Sequence, residues 1–292
     1  MISLDVALNE PSRMTILTFT LAILGTSLLA GLLGALTGLG GGVVVVPVLA
    51  LAFHVDLRYA IGASLISVIA TSSGAAAAYV REGFSNVRIG MFLEIATTLG
   101  ALVGAYLTAI VSTKAIGIVF GVVLLYSAIA SFRGRHADAT PAQRNSLAER
   151  LRLAGAYPIE GGALQPYVAQ RIPAGFSVMF LAGGLSGLLG IGSGAVKVLA
   201  MDQAMRLPFK VSTTTSNFMI GVTAAASAGI YISRGYVLPS LAMPVMLGVL
   251  TGSLLGSRIL VRARVSTLRK VFAFVIVALG VEMIYSSLTG KF

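Results

Sequence analysis

The sequence contains no cysteine, which excludes disulfides, thiolate metal sites and thiol catalysis and leaves the redox compartment unread. Histidine is nearly as scarce. His54 and His136 both fall in loops between apolar runs, and no metal-ligand cluster or nucleophile–base arrangement accompanies them. No enzymatic role, metal or cofactor is expected. Charge is the third shortage: only 11% of the 292 residues are charged, too few to cover the surface of a soluble globule. Ten acidic residues stand against 21 Lys and Arg, a net charge of +11, but the basic residues gather in two loops rather than on a basic face interleaved with aromatics. That distribution speaks against a nucleic-acid partner and for a lipid bilayer.

What is present is apolar: 57% of residues are hydrophobic and the mean hydropathy is +0.93. The apolar stretches run over 14–37, 43–53, 58–80, 88–111 and 113–132, and again over 174–189, 195–205, 210–233, 237–261 and 268–288. A helix needs about 20 residues, at about 1.5 Å each, to cross a hydrocarbon core of about 30 Å. The second stretch of each set is too short for that and should return from within the membrane as one arm of a hairpin. The run from residue 14 is too long for a signal-peptide core and lacks a clear small-residue cleavage site, so it is read as a retained helix.

The two sets are copies. Gly38-Leu39-Gly40-Gly41-Gly42 returns 152 positions later as Gly190-Ile191-Gly192-Ser193-Gly194. At the same offset Ala30-Gly31 meets Ala182-Gly183, Ser64 meets Ser216, Thr71 meets Thr223, Tyr79 meets Tyr231, and Gly100 and Gly104 meet Gly252 and Gly256. Matched glycine breaks in two apolar halves point to a secondary transporter with its substrate site between the repeats. The expected fold is an all-α polytopic membrane protein with two inverted repeats of about five helical segments. Each repeat holds a glycine-broken short helix in a hairpin. The first covers 1–132, the second 174–292, and 133–173 forms a polar linker.

Arginine and lysine accumulation sets the orientation. The linker and the turn carrying Arg262, Arg264, Arg269 and Lys270 are expected in the cytoplasm, together with the Arg81/Arg88 and Arg206/Lys210 turns. The His54/Asp56/Arg58 turn, Lys114, Arg234 and both termini then face outward, in a multi-pass protein of the inner (plasma) membrane. Within the linker, Thr140-Pro141 reads as an N-cap with proline at the first helical position, so a surface helix through about Leu153 is expected.

The breaks carry the candidate chemistry. Backbone N–H groups freed at a glycine break survive at membrane depth only in a protein interior or a water-filled cavity. The short arms also begin there, and helix N-termini favour anions. Lys197, one turn into the second arm, is a candidate countercharge; the bland readings are snorkelling to the interface or pairing with Asp202. Ser64, and Ser216 with Asn217, open the third segment of each half and offer donors to an oxyanion; helix-to-helix hydrogen bonding is their bland reading. Gly34, Gly100, Gly104, Gly252 and Gly256 are read as packing glycines. Glu94 and Glu282 are ionisable residues within apolar segments, but each stands near a helix end where water or an arginine would suffice.

The stretch from Gly34 to Pro47 with Ala60 to Leu65, and its counterpart from Gly187 to Gly194 with Lys210 to Asn217, resembles the sulfite exporter TauE/SafE family of membrane permeases. The resemblance covers nearly the whole chain outside the N-terminal residues and the linker. It implies transport of sulfite, of organosulfonates such as sulfoacetate, or of related small anions, and carries the substrate site onto Gly40, Gly41, Gly42, Ser64, Gly192, Ser193, Gly194, Ser216 and Asn217. Lys197 joins that set on its own position. Two departures, Ser193 for the middle glycine and Leu199 for Pro47, imply that the halves of the site are not equivalent. Alternating access is the expected mechanism and an anion channel the alternative, with a coupling proton or sodium ion left unassigned.

Overall fold

The computed structural model describes residues 15–37, 41–81, 85–132, 146–158, 164–260 and 265–290. The chain runs α1 (Ile16–Thr37), α2 (Gly42–Ala52), α3 (Leu57–Arg81), α4 (Val87–Leu107), α5 (Thr113–Phe132), α6 (Ser146–Arg150), β1 (Ala154–Pro158) and β2 (Leu164–Val168). It continues through α7 (Ile172–Leu189), α8 (Gly194–Leu199) with a π-helical turn (Ala200–Ala204), α9 (Phe209–Ser233), α10 (Pro239–Leu260) and α11 (Val265–Leu288). This is a helical polytopic membrane fold. Among the described residues four helices, α1, α4, α7 and α10, contain stretches long and apolar enough to cross a bilayer. α3 and α9 are longer, at 25 residues each, but carry many serines and threonines, because they face each other in the protein interior.

The outer faces show the medium. On α4, Met91, Ile95, Leu99, Val103 and Tyr106 form an exposed stripe at helical spacing, while Leu93, Glu94, Thr97, Gly100, Ala101 and Gly104 are buried. A large apolar residue at every exposed position of that stripe is the signature of lipid contact rather than of water.

Packing repeats as the sequence does. α1 lies on α10 as α7 lies on α4, α3 touches α10 as α9 touches α4, and α2 joins α3 as α8 joins α9; α3 meets α9 and α5 meets α11 across the centre. The correspondence reaches single residues. A Cβ on Gly252 would overlap the Leu28 carbonyl oxygen, and one on Gly100 the Phe180 carbonyl oxygen. Gly31 sits in the same way on Val249 and Gly183 on Thr97. All four contacts map onto one another through the offset of 152, so the duplicated glycines are the close-approach points of two matching helix pairs. Gly104 packs likewise on Gly184.

The turns divide into two groups. At one end of the bundle Asn86 donates through Nδ2 to the Tyr167 hydroxyl (2.8 Å) and through its backbone N–H to Thr215 Oγ1 (3.1 Å), and Gln170 N–H bonds the Met205 carbonyl (2.9 Å). The linker, the start of α4 and the Arg206 turn therefore share one face. At the other end Arg58 donates to the Thr108 carbonyl (3.2 Å) and Arg234 to the Ala105 carbonyl (3.0 Å), with Tyr59 and Tyr236 edge to face at 5.6 Å.

The linker departs from expectation. Residues 133–145, where the surface helix should begin, lie outside the described set; the described helix is α6 alone, and an antiparallel β1–β2 hairpin follows. Leu153, Tyr167 and Ala169 pack with Ile89, Leu93, Met201 and Met205, so docking onto the ends of α4 and the π turn holds these strands. Tyr157, Tyr167 and Val168 favour extended structure, but the alanines, glycine and prolines around them leave the local preference weak.

The glycine packing yields a paired prediction. Gly100→Ala must push α4 away from α7 backbone and should lower stability by about 1–3 kcal/mol, whereas Gly229→Ala, with nothing within 4 Å of the new methyl, should be neutral or slightly stabilising. Thermal unfolding in detergent checks both, and equal effects would refute the close-packing account.

Candidate functional site

The two glycine breaks meet. A Cβ on Gly42 would lie 2.7 Å from Ser64 Oγ and 3.2 Å from the Gly190 carbonyl oxygen, and Ser64 donates its hydroxyl proton to that same carbonyl at 2.9 Å. Ser64 of α3 therefore ties the start of α2 to the break before α8. On the other copy, Ser216 of α9 donates to the Gly194 carbonyl at 3.3 Å. Both serines are buried and both spend their proton on break backbone, so toward a ligand their oxygens are acceptors in this arrangement.

The breaks differ in backbone. Gly190 and Gly192 take φ of +69° and +70°, and Ser193 is held at +45°, a left-handed conformation that costs an L-residue about 1–2 kcal/mol. Gly41, which corresponds to Ser193, is right-handed at φ −65°. Glycine is needed there for space, since a Cβ would come 2.5 Å from Val249 Cγ1. Ser193 is 3% exposed, and its hydroxyl has no hydrogen-bond partner among the described residues. Strained backbone and an unpaired buried donor in one residue are features of binding sites rather than of passive linkers.

Lys197 lies one turn further along α8 and does not snorkel. It is 0% exposed, and its Nζ donates to Thr223 Oγ1 at 2.5 Å. Thr223 Oγ1 in turn lies 2.6 Å from Glu94 Oε1, which also accepts from Thr98 at 3.2 Å. Glu94 is 7% exposed, and its second oxygen, Oε2, has no partner among the described residues. An ammonium and a carboxylate from α8 and α4 are thus joined by one hydroxyl from the middle of α9. A lone Lys at such depth costs about 3 kcal/mol or more, so each charge makes the other tolerable.

The expectation that Glu94 reaches water or an arginine is corrected by this burial; its electrostatic partner is Lys197. Glu282 instead lies on an exposed face of α11, accepting from Ser286 at 3.3 Å. Of the candidate residues, Gly40 lies outside the described set. Gly41, Gly42, Ser64, Gly192, Ser193, Gly194, Lys197 and Ser216 are all buried around the breaks, and Asn217 is half-buried. Thr223 was visible only as the match to Thr71, and Glu94 only as an intramembrane acid. Their meeting depends on how closely α4 approaches α9. One polar face of α9 builds the site: Ser216 holds the break, Ile220 packs where a Cβ on Gly192 or Gly194 would go, and Thr223 holds the charges.

The duplication stops at the charges. The positions matching Lys197 and Glu94 are Val45 and Met246, and only Thr71 echoes Thr223. The buried charges lie beside the second break, with apolar residues at the matching positions of the other copy.

Comparison with known proteins agrees with the resemblance. Residues 23–283 match the family described as Sulfite exporter TauE/SafE. The chain is 27% identical over 277 residues to the probable membrane transporter protein YunE of Bacillus subtilis, covering 92% of this chain and 97% of that one. It is also 27% identical over 231 residues to the probable membrane transporter protein YdhB of the same organism, covering 79% and 86%. A probable membrane transporter protein of Xylella fastidiosa is 25% identical over 277 residues, covering 94% and 98%. No solved structure matches the chain.

Two stability measurements follow. At neutral pH, Lys197→Met and Glu94→Gln should each cost about 3 kcal/mol by stranding the other charge. The double variant should lose about 1–3 kcal/mol less than the sum, and strict additivity would show that the two do not interact. Ser193→Gly should raise the unfolding temperature, gaining about 1 kcal/mol through relief of the left-handed backbone; a fall would mean that the hydroxyl is bonded.

Proposed function

This chain belongs to the sulfite exporter TauE/SafE family of membrane proteins, and we propose that it is a secondary transporter carrying a small sulfur-containing anion, sulfite or an organosulfonate such as sulfoacetate, across the cell membrane by alternating access. The observation that carries this reading is the second break. There, a buried Ser193 hydroxyl with no partner among the described residues stands one turn from the buried ammonium of Lys197, offering a donor and a countercharge at once. An oxyanion uses both. Break backbone adds fixed dipoles that cost nothing to orient when the anion arrives. Sulfur enters through the family name alone; the site's chemistry supports a small oxyanion.

The two halves are read as inverted repeats, with the linker and the turns on its face in the cytoplasm and the Arg58, Thr108 and Arg234 face outside. Movement of one repeat against the other would expose the breaks to each side in turn. Ser64, which ties Gly42 to Gly190, is the contact such a motion must break or carry with it.

Uptake of radiolabelled sulfite and sulfoacetate into proteoliposomes tests the proposal. Saturable flux with trans-stimulation is expected, and Lys197→Ala should raise the KM at least tenfold while membrane insertion is unchanged. Non-saturating flux without trans-stimulation would make the protein a channel, and unchanged affinity in Lys197→Ala would remove that residue from the site.

A further inference from the structure

Resting on the anion reading above, we infer that Glu94 is a proton-binding site, and that its protonation releases the Lys197 ammonium to the transported anion. The geometry offers two arrangements of one hydroxyl. Thr223 has a single proton and two acceptors within reach, Glu94 Oε1 at 2.6 Å and its own helix's Met219 carbonyl at 2.9 Å, while it accepts from Lys197 at 2.5 Å. With Glu94 ionised, the proton points to the carboxylate and the chain ammonium–hydroxyl–carboxylate is complete. When a hydronium ion gives its proton to Glu94 and leaves as water, the carboxyl group is neutral. Thr223 then turns its proton to Met219, and the ammonium loses its counter-charge. Oε2 is the oxygen available to take the proton, since Oε1 already receives Thr98 and Thr223.

Charge balance gives this chemistry a direction. The empty site with ionised Glu94 is neutral. An added monoanion leaves it at minus one unless a proton comes with it, and a net charge buried among helices is strongly disfavoured. Anion and proton therefore favour each other's binding, and reciprocity makes the effect equal in both directions. The same neutrality holds in the two states that must cross, empty with Glu94 ionised and loaded with Glu94 protonated.

Among the described residues nothing else near Glu94 supplies the balance. α7, packed along α4, carries no ionisable side chain; α9 carries Lys210 at its exposed start and Tyr231 near its far end, where the Tyr231 hydroxyl meets Thr108 at 2.8 Å. The α8 and π segment carries Lys197 and Asp202, and of these groups Lys197 is the one that acts electrostatically on Glu94.

The test is an infrared pH titration of the protein in lipid, following the carbonyl stretch of a protonated carboxylic acid. The wild type should gain a band on acidification that Glu94→Gln lacks, and Lys197→Met should move its midpoint to higher pH by removing the ammonium. Methanesulfonate, a monoanion throughout, should raise the wild-type midpoint by one pH unit for each tenfold preference of the anion for the protonated protein, and should leave Lys197→Met unmoved. Should Glu94→Gln fail to fold, Thr223→Val assigns the band, because losing the donor to Oε1 also raises the midpoint. No band between about pH 4 and pH 9, on either side of the ordinary carboxylate range, overturns the proton site. A band that titrates and shifts in Lys197→Met but ignores methanesulfonate, sulfite and sulfoacetate keeps the proton site, and overturns both the release of Lys197 to an anion and the substrate class proposed above.

Discussion

One hydroxyl group holds opposite charges together in the middle of this membrane protein, and much of the architecture serves to keep it there. Thr223 bridges Lys197 and Glu94 only if α4, α8 and α9 converge. α4 gets that close because its inner face is built of small residues: Gly100 and Gly104 sit on α7 backbone, and Gly90 sits against Thr215 of α9. In hydrocarbon the usual cost of a stranded charge rises, so the pair acts as a constraint on helix position as well as a chemical group. Removing either charge alters the packing problem for three helices.

Duplication supplies the scaffold and divergence supplies the chemistry. Matched glycines at an offset of 152 residues place α1 on α10 as α7 on α4, and the same contacts recur to the level of single carbonyls. Within that near-symmetry the first break has gone apolar, with Val45 where the second has Lys197, and the second has gone polar and strained at Ser193. A transporter built of equivalent halves would offer two sites. This chain concentrates donor, ammonium and carboxylate beside one break and leaves the other apolar.

The helices were legible in the sequence because hydropathy and length decide them: the segment expected over 113–132 is α5 itself, and the other bounds moved by a few residues. Gly100 and Gly252 could be read as packing residues because a glycine inside a continuous apolar helix has few other uses. The hairpin at 154–168 was hidden, since its strands are short and interrupted by glycine and proline, and the packing of Leu153 and Tyr167 that accompanies them is tertiary. Lys197 announced itself as a costly residue, but its partner did not. Glu94 is close to its helix end along the chain, and only the tertiary approach of α4 to α9 shows that it is buried. Ser64 and Ser216 were legible as site neighbours, whereas their use of the proton on break carbonyls required coordinates.

The central claim is that a charge-balanced centre at the second break moves a monoanion without moving net charge. The most direct measurement is the current evoked by a methanesulfonate concentration jump on protein-containing membranes adsorbed to a solid support, recorded alongside internal pH. Flux with internal acidification and no sustained current is predicted. A sustained current of one negative charge per anion, or flux without acidification, would contradict the account.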